Sequence, residues 1–151
     1  MKLIFDSAQF TRQVMANFLE ELSYEQLTEI PDNFNNSIFW NITHTLVTQQ
    51  LLTYRLAGLP LQIDENFVEK YGKGSIATTD IPTEDIEYVK NNLISASIKL
   101  QEDFEKGIFK QFEPYHTSVG ISLYNIEEAL NFNTFHDGIH LGIAMSIKKI
   151  V

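Results

Sequence analysis

The chain has 151 residues and a formal net charge of −9 at pH 7, from 11 Lys and Arg against 20 Asp and Glu. This length predicts one domain, 1–151, and the acidic balance argues against binding nucleic acid or an anionic membrane surface, since both need clustered cations. The chain has no Cys, which excludes disulfides, thiolate zinc sites, iron–sulfur clusters and a cysteine nucleophile.

We do not expect the first residues, Met1-Lys2-Leu3-Ile4-Phe5-Asp6, to be a signal peptide. The first apolar run, Leu3-Ile4-Phe5, is three residues long, whereas the apolar region of a signal peptide needs about 7–15 residues. No run approaches the roughly 20 apolar residues of a membrane span. We therefore expect a cytoplasmic protein that binds neither nucleic acid nor membranes.

The first predicted helix covers about residues 6–28, with Asp6 or Ser7 as its N-cap. Apolar residues recur at every fourth position along it: Phe10, Val14, Phe18 and Leu22. This recurrence predicts an apolar stripe that faces the core. Pro31 ends the region, because helices usually stop before a proline.

The second predicted helix covers about residues 36–57, between an N-cap at Asn36 or Ser37 and a stop signal at Gly58. Its apolar stripe has spacings of 4, 3 and 4 residues and consists of Trp40, His44, Val47 and Leu51. A histidine therefore occupies the middle of a predicted core stripe.

Two more helices are predicted in the C-terminal half, one from Pro82-Thr83 to about Lys106-Gly107 and one over about residues 123–149. The stripe of the third helix is Ile86, Val89, Leu93, Ala96, Leu100 and Phe104. The stripe of the fourth helix is Ala129, Phe132, His136, His140, Ile143 and Ile147. Two histidines thus occupy successive positions of a predicted core stripe.

Four amphipathic helices predict an all-α fold, an antiparallel four-helix bundle. Two connections, 58–81 and 107–120, are long for a compact domain, and such loops are usually functional or disordered. The first of them is too apolar for a disordered linker. We expect it to pack over one end of the bundle.

The three helical histidines have two possible interpretations. His136 and His140 are one turn apart on one face, so both imidazoles can reach one point, which His44 can reach from another helix. Three neutral imidazoles can hold one divalent cation and leave a position open for water or substrate. The alternative is a structural cluster in which hydrogen bonds satisfy the buried imidazoles.

His116 has no periodic apolar context, and we expect it in a surface loop. Its spacing from Glu113 is that of a di-iron bundle, but such a bundle needs a second Glu-x-x-His pair and two more carboxylates. The segment from His136 to His140 also resembles the zincin pattern, with Asp137 in place of the general base Glu. Asp137 either has a role in catalysis or is an acid that is solvated or supports the ligands.

Four motifs stand out along the chain: Ser37-Ile38-Phe39-Trp40-Asn41-Ile42-Thr43-His44, then Phe67-x-x-x-Tyr71-Gly72-Lys73-Gly74-Ser75, Ile126-Glu127-Glu128-Ala129-Leu130 and His136-x-x-x-His140-x-Gly142. With these motifs the chain resembles the DinB/YfiT-type metalloenzymes over nearly its whole length. The resemblance implies an up-down-down-up four-helix bundle with a long crossover loop, often a homodimer. It also implies that His44, His136 and His140 are the metal ligands, with nickel or zinc bound and water completing the shell.

Members similar to this chain include S-transferases that use a low-molecular-weight thiol, so the resemblance implies a metal-dependent transferase or hydrolase acting on a small molecule. Since the chain has no Cys, any thiol must come from a cosubstrate. Asp137, Asn41 and Tyr71 are candidates for proton transfer or substrate positioning. The alternative is a non-catalytic, stress-associated helical bundle, with a structural metal or a metal-free small-molecule pocket.

Overall fold

Six helices and one short β-hairpin make up the structure, a computed structural model that describes residues 1–151. The elements in chain order are α1 (Lys2–Glu21), α2 (Tyr24–Thr28), α3 (Ile38–Gln50), a π-helical turn (Leu51–Arg55), α4 (Glu65–Tyr71), α5 (Thr83–Glu105), β1 (Tyr115–His116), β2 (Ser122–Leu123) and α6 (Ile126–Ile147). The strands are antiparallel and pair Tyr115 with Leu123 and His116 with Ser122.

The four long helices α1, α3, α5 and α6 form the bundle, which confirms the predicted all-α fold. Both α1 and α3 contact α5 and α6, so the order around the bundle is α1, α5, α3, α6. The main core lies between these helices and is built from large apolar side chains, among them Met15, Leu19, Phe39, Ile42, Leu46, Val89, Leu93 and Ile147. No helix in the structure is both long enough and apolar enough to cross a membrane.

The first predicted helix is divided in two, and its predicted stripe is only partly correct. Phe10 is 69% exposed, whereas the buried residues of α1 are Phe5, Thr11, Arg12, Met15, Phe18 and Leu19. An i+4 series rotates by about 40° at each step, so the three steps from Phe10 to Leu22 turn the series by about 120° and off the core face. The helix ends at Glu21, and Ser23 starts α2 with a capping box whose partner is Gln26.

The second predicted helix is a buried central element instead of an amphipathic one. Every residue of α3 except Thr48 is buried, because α2, α4, α5 and α6 all pack against it. The N-cap is Ser37, whose Oγ accepts a hydrogen bond from the Trp40 N–H at 3.1 Å. The predicted C-terminal part is the π-helical turn Leu51–Arg55.

The third predicted helix agrees with α5. The fourth, α6, is shorter than predicted, and its buried face differs from the predicted stripe. It starts after the N-cap Asn125, because Ser122 and Leu123 pair with β1. Its buried residues are Ala129, Leu130, Asn133, Asp137, Ala144 and Ile147. Asp137 thus occupies the centre of the core face, and His136 and His140 lie half-buried beside it.

The 58–81 connection packs against the bundle through α4, which contacts α3. Phe67 and Tyr71 of α4 belong to the main core, whereas Ile76 is 92% exposed. The 107–120 connection contains β1, and its His116 is exposed, as predicted. His116 Nδ1 lies 2.8 Å from Ser122 Oγ across the hairpin.

A buried ion pair joins three of the four bundle helices. Arg12 of α1 donates from Nε to Asp137 Oδ2 at 3.0 Å and from Nη2 to Oδ1 at 3.2 Å. Nη2 also donates to the Thr45 carbonyl of α3 at 2.9 Å, and both charged side chains are 0% exposed. Burial raises the pKa of the Asp137 carboxyl, and the Arg12 guanidinium opposes that rise. The pair therefore makes a carboxylate tolerable in the middle of the core face of α6.

We predict that Arg12→Met lowers the free energy of unfolding by about 3–5 kcal/mol, because it leaves Asp137 buried and unpaired. Urea denaturation followed by circular dichroism measures this loss. The double variant Arg12→Met/Asp137→Leu should recover much of the loss, since it removes both charges. Equal stability of the single variant and the wild type would contradict the prediction.

Candidate metal centre

Three histidines from two helices converge beside the core. His44 comes from the middle of α3, and His136 and His140 come from successive turns of α6. Each offers a ring nitrogen, and these nitrogens all lie within 4.8 Å of one another. The ring centroids are 5.1 Å apart for His44 and His136, 4.7 Å for His44 and His140, and 4.5 Å for His136 and His140. A single cation could contact all three rings.

His44 is held in one tautomer by the backbone of α4. Its Nδ1 lies 2.7 Å from the Tyr71 carbonyl oxygen, which can only accept, so Nδ1 carries the proton and Nε2 is the unprotonated nitrogen. The Thr48 hydroxyl lies 3.3 Å from Nε2. Trp40 stacks on the imidazole, with 4.5 Å between the ring centroids and 11° between the planes. This arrangement is that of a ligand imidazole whose outer nitrogen is fixed by a carbonyl.

Asn41 holds His140 in the same way. Asn41 Nδ2 donates to the Ser37 carbonyl at 2.8 Å, which fixes the orientation of the amide. The amide oxygen Oδ1 then accepts from His140 Nδ1 at 2.8 Å, so Nε2 of His140 is unprotonated. Asn41 therefore orients the imidazole of His140, while its role in proton transfer or substrate positioning stays a prediction.

His136 has no such partner. Its Nδ1 is buried and has no hydrogen bond, and a buried polar atom without a partner costs about 1–3 kcal/mol. Hydrogen bonds within the protein thus leave the cluster unsatisfied, which is unfavourable for the structural interpretation. The unsatisfied nitrogen, together with the two unprotonated Nε2 atoms of His44 and His140, fits a site that holds a cation.

The electrostatics also favour neutral imidazoles. Burial lowers the pKa of His44. Burial, with further lowering by His140, His44 and Arg12, brings the pKa of His136 to about 3, and burial together with His44 brings that of His140 to about 4. All three rings are therefore uncharged at neutral pH, the form that binds metals. An all-imidazole donor set suits zinc, nickel, copper and iron alike.

The side chains of the other two candidate residues, Tyr71 and Asp137, form hydrogen bonds to groups other than the three histidines. The Tyr71 hydroxyl donates to Asp85 at 2.8 Å, and burial, with Asp85, raises the pKa of this phenol. Tyr71 therefore contacts His44 through its backbone and not through its side chain. Asp137 binds Arg12 with both carboxylate oxygens. These contacts favour structural or positioning roles over proton transfer for both residues.

Sequence reasoning missed Arg12 and Thr48. A charged residue on the core face of α1, three residues before Met15 and seven before Leu19, was the available signal for a buried partner. Thr48 lies one turn after His44 on the same face, which was the signal for contact with the imidazole.

We predict that Asn41→Leu weakens divalent-metal binding about 10–100-fold, because His140 loses the group that fixes its tautomer. Isothermal titration with Zn²⁺ or Ni²⁺ measures the change. The matched control is Asn91→Leu. The amide of Asn91 also donates to a carbonyl four residues earlier, but this side chain lies on the exposed face of α5. An equal loss of affinity in both variants would contradict the role of Asn41.

Comparison with known proteins identifies the family of the chain. Residues 8–144 match the family model described as the DinB superfamily. The match runs from the second turn of α1 to the last turn of α6, so it includes Arg12 and the three histidines. No significant match to a curated protein is found. The comparison therefore gives a family and no activity.

Proposed function

Because the chain belongs to the DinB superfamily, we propose that it is a divalent-metal-dependent enzyme that acts on a small molecule. The observation that carries the proposal is the convergence of His44, His136 and His140 beside a cavity of about 440 Å³ that His44 and His136 line. This volume lies within the roughly 300–1,000 Å³ of small-molecule sites. A ligand in the cavity would therefore be in contact with the candidate metal ligands.

We propose that His44, His136 and His140 hold nickel or zinc. When bound, such a cation supplies Lewis-acid chemistry, which lowers the pKa of a thiol or water and polarises a substrate carbonyl. Two groups of the chain orient two of the imidazoles: the Tyr71 carbonyl acts on His44, and Asn41 acts on His140.

Two reactions fit this site, thiol-dependent S-transfer and hydrolysis. The chain contains no Cys, so the nucleophile of an S-transferase would be a low-molecular-weight thiol cosubstrate, and a hydrolase would use water. The rival proposal is a non-catalytic bundle, with a structural metal or a metal-free small-molecule pocket. The cavity that reaches two of the histidines favours the enzyme, because a purely structural metal site needs no access for a ligand.

The test uses metal-free protein without a His-tag, loaded with Co²⁺ and then titrated with 2-mercaptoethanol. We predict one Co²⁺ per chain and a new near-ultraviolet sulfur-to-cobalt absorption when the thiol binds. His44→Ala, His136→Ala and His140→Ala should each lose both signals. At a metal concentration about 100 times Kd, the free energy of unfolding should rise by about 2.7 kcal/mol.

The matched control is His116→Ala, since this exposed histidine lies outside the cluster, and it should bind Co²⁺ like the wild type. Failure of the wild type to bind Co²⁺, Zn²⁺ or Ni²⁺ would contradict a metal-dependent enzyme. Stoichiometric binding without any response to thiol or to azide would favour the structural metal instead.

We also propose a homodimer that forms through the exposed side of α6. Gly138 and Gly142 lie there with Met145, and a methyl group on either glycine would meet no atom within 4 Å. Each glycine costs a helix about 1 kcal/mol relative to Ala, and nothing within the chain requires it. Close packing of a second copy would explain both.

Sedimentation velocity at micromolar concentration tests the dimer. We predict that Gly142→Leu shifts the protein towards the monomer, because the new side chain would occupy the contact surface but has free space within the chain itself. The control is Ser95→Leu, since Ser95 lies on the exposed face of α5. This variant should leave the dimer intact. A wild-type monomer would contradict this proposal and leave the metal proposal unaffected.

A further inference from the structure

We propose that the cavity beside the histidines takes an amphipathic monoanion, a small acid with an apolar body whose carboxylate pairs with Lys73. The inference rests on the proposed function, since it names the substrate class of the same site. The observations that support it are the apolar character of the cavity, the sign of its charged residues and the way in which Lys73 is held.

The cavity is mainly apolar, and part of its apolar lining is exposed. Eight of its 15 lining residues are hydrophobic. Three of these are large side chains with high exposed fractions, Val119 at 63%, Phe135 at 57% and Ile139 at 45%. Exposed apolar side chains grouped around a cavity mark a place where an apolar ligand removes them from water. The body of the ligand is therefore apolar.

The charged residues that line the cavity are all basic. Arg55 and Lys73 line it, and no Asp or Glu does. The chain as a whole has almost twice as many acidic as basic residues and a net charge of −9, so the cavity wall has the opposite charge from the rest of the molecule. This local reversal favours an anionic ligand and disfavours a cationic one.

Lys73 is the cation available for that ligand. Arg55 Nη2 already donates to both oxygens of Glu65, at 2.7 and 2.6 Å. The ammonium of Lys73 makes no salt bridge and no hydrogen bond in the structure, and its side chain is exposed. One unpaired ammonium suits one carboxylate, whereas a polyphosphate would require several unpaired cations.

The backbone around Lys73 is tied to the metal centre on both sides. The Tyr71 carbonyl accepts from His44, and Ser75 Oγ accepts from Trp40 Nε1 at 3.1 Å. Gly72 is required at the turn, because a Cβ there would lie 2.3 Å from the Val68 carbonyl oxygen. The segment that holds Lys73 is therefore positioned by the same contacts that orient His44.

The experiment compares 4-phenylbutanoate with 4-phenylbutanamide, which have the same apolar body and differ in charge. Isothermal titration is carried out on the chelator-treated, metal-free protein, so that no metal can hold the carboxylate. We predict that the acid binds about five- to tenfold more tightly than the amide, as for a charge-assisted contact near the surface. Lys73→Gln should abolish this preference.

Lys149→Gln is the matched control, since Lys149 is also exposed and unpaired but lies outside the cavity, and it should keep the preference. No binding of either probe to the wild type would overturn the proposed substrate class. A preference that survives Lys73→Gln, or that Lys149→Gln also removes, would overturn the role of Lys73.

A repeat with Zn²⁺-loaded protein separates this inference from the proposed function. A preference for the acid that appears only with Zn²⁺ would assign the carboxylate to the metal, which overturns the role of Lys73 and supports the metal site. A preference that depends on Lys73 in a protein that binds no metal would support the carboxylate site and overturn the metal-dependent enzyme.

Discussion

The buried ion pair between Arg12 and Asp137 is the constraint on which the site depends. Asp137 is at the centre of the core face of α6, where a carboxylate is tolerated only with a partner. In a helix with 100° per residue, His136 and His140 then lie about 100° and 60° from Asp137 on the same side. The ion pair therefore fixes the rotation of α6 that turns both imidazoles towards His44 of α3.

Two of the three histidines of the candidate metal centre are oriented by groups that also belong to the core of the fold. The Tyr71 carbonyl belongs to the end of α4, which is anchored in the core by the side chains of Phe67 and Tyr71. Asn41 is a residue of the central helix α3, and the carbonyl of its N-cap fixes its amide. Two oxygens that the fold holds in place, the Tyr71 carbonyl and Asn41 Oδ1, thus set the tautomers of two imidazoles, which leaves their Nε2 atoms unprotonated.

The molecule is acidic overall, and the structure explains the positions of its few basic side chains. Arg12 pairs with Asp137 inside the core. Most surface Lys and Arg side chains pair with a neighbouring carboxylate. Lys73 remains unpaired at the cavity, on a segment that His44 and Trp40 hold in place. The same few contacts thus organise the candidate metal ligands and the cavity cation.

The sequence by itself determined the number of long helices, the all-α class and the three histidines, because helical periodicity and the i, i+4 relation are local properties of the chain. It also excluded thiolate ligands, since there is no Cys. Only the tertiary structure decided which face of α1 and α6 is buried, that α3 is central and that Asn41 and the Tyr71 carbonyl contact imidazoles. The physical reason is distance along the chain. Arg12 and Asp137 are 125 residues apart, and the local spacing of residues does not indicate which distant charge a buried side chain pairs with.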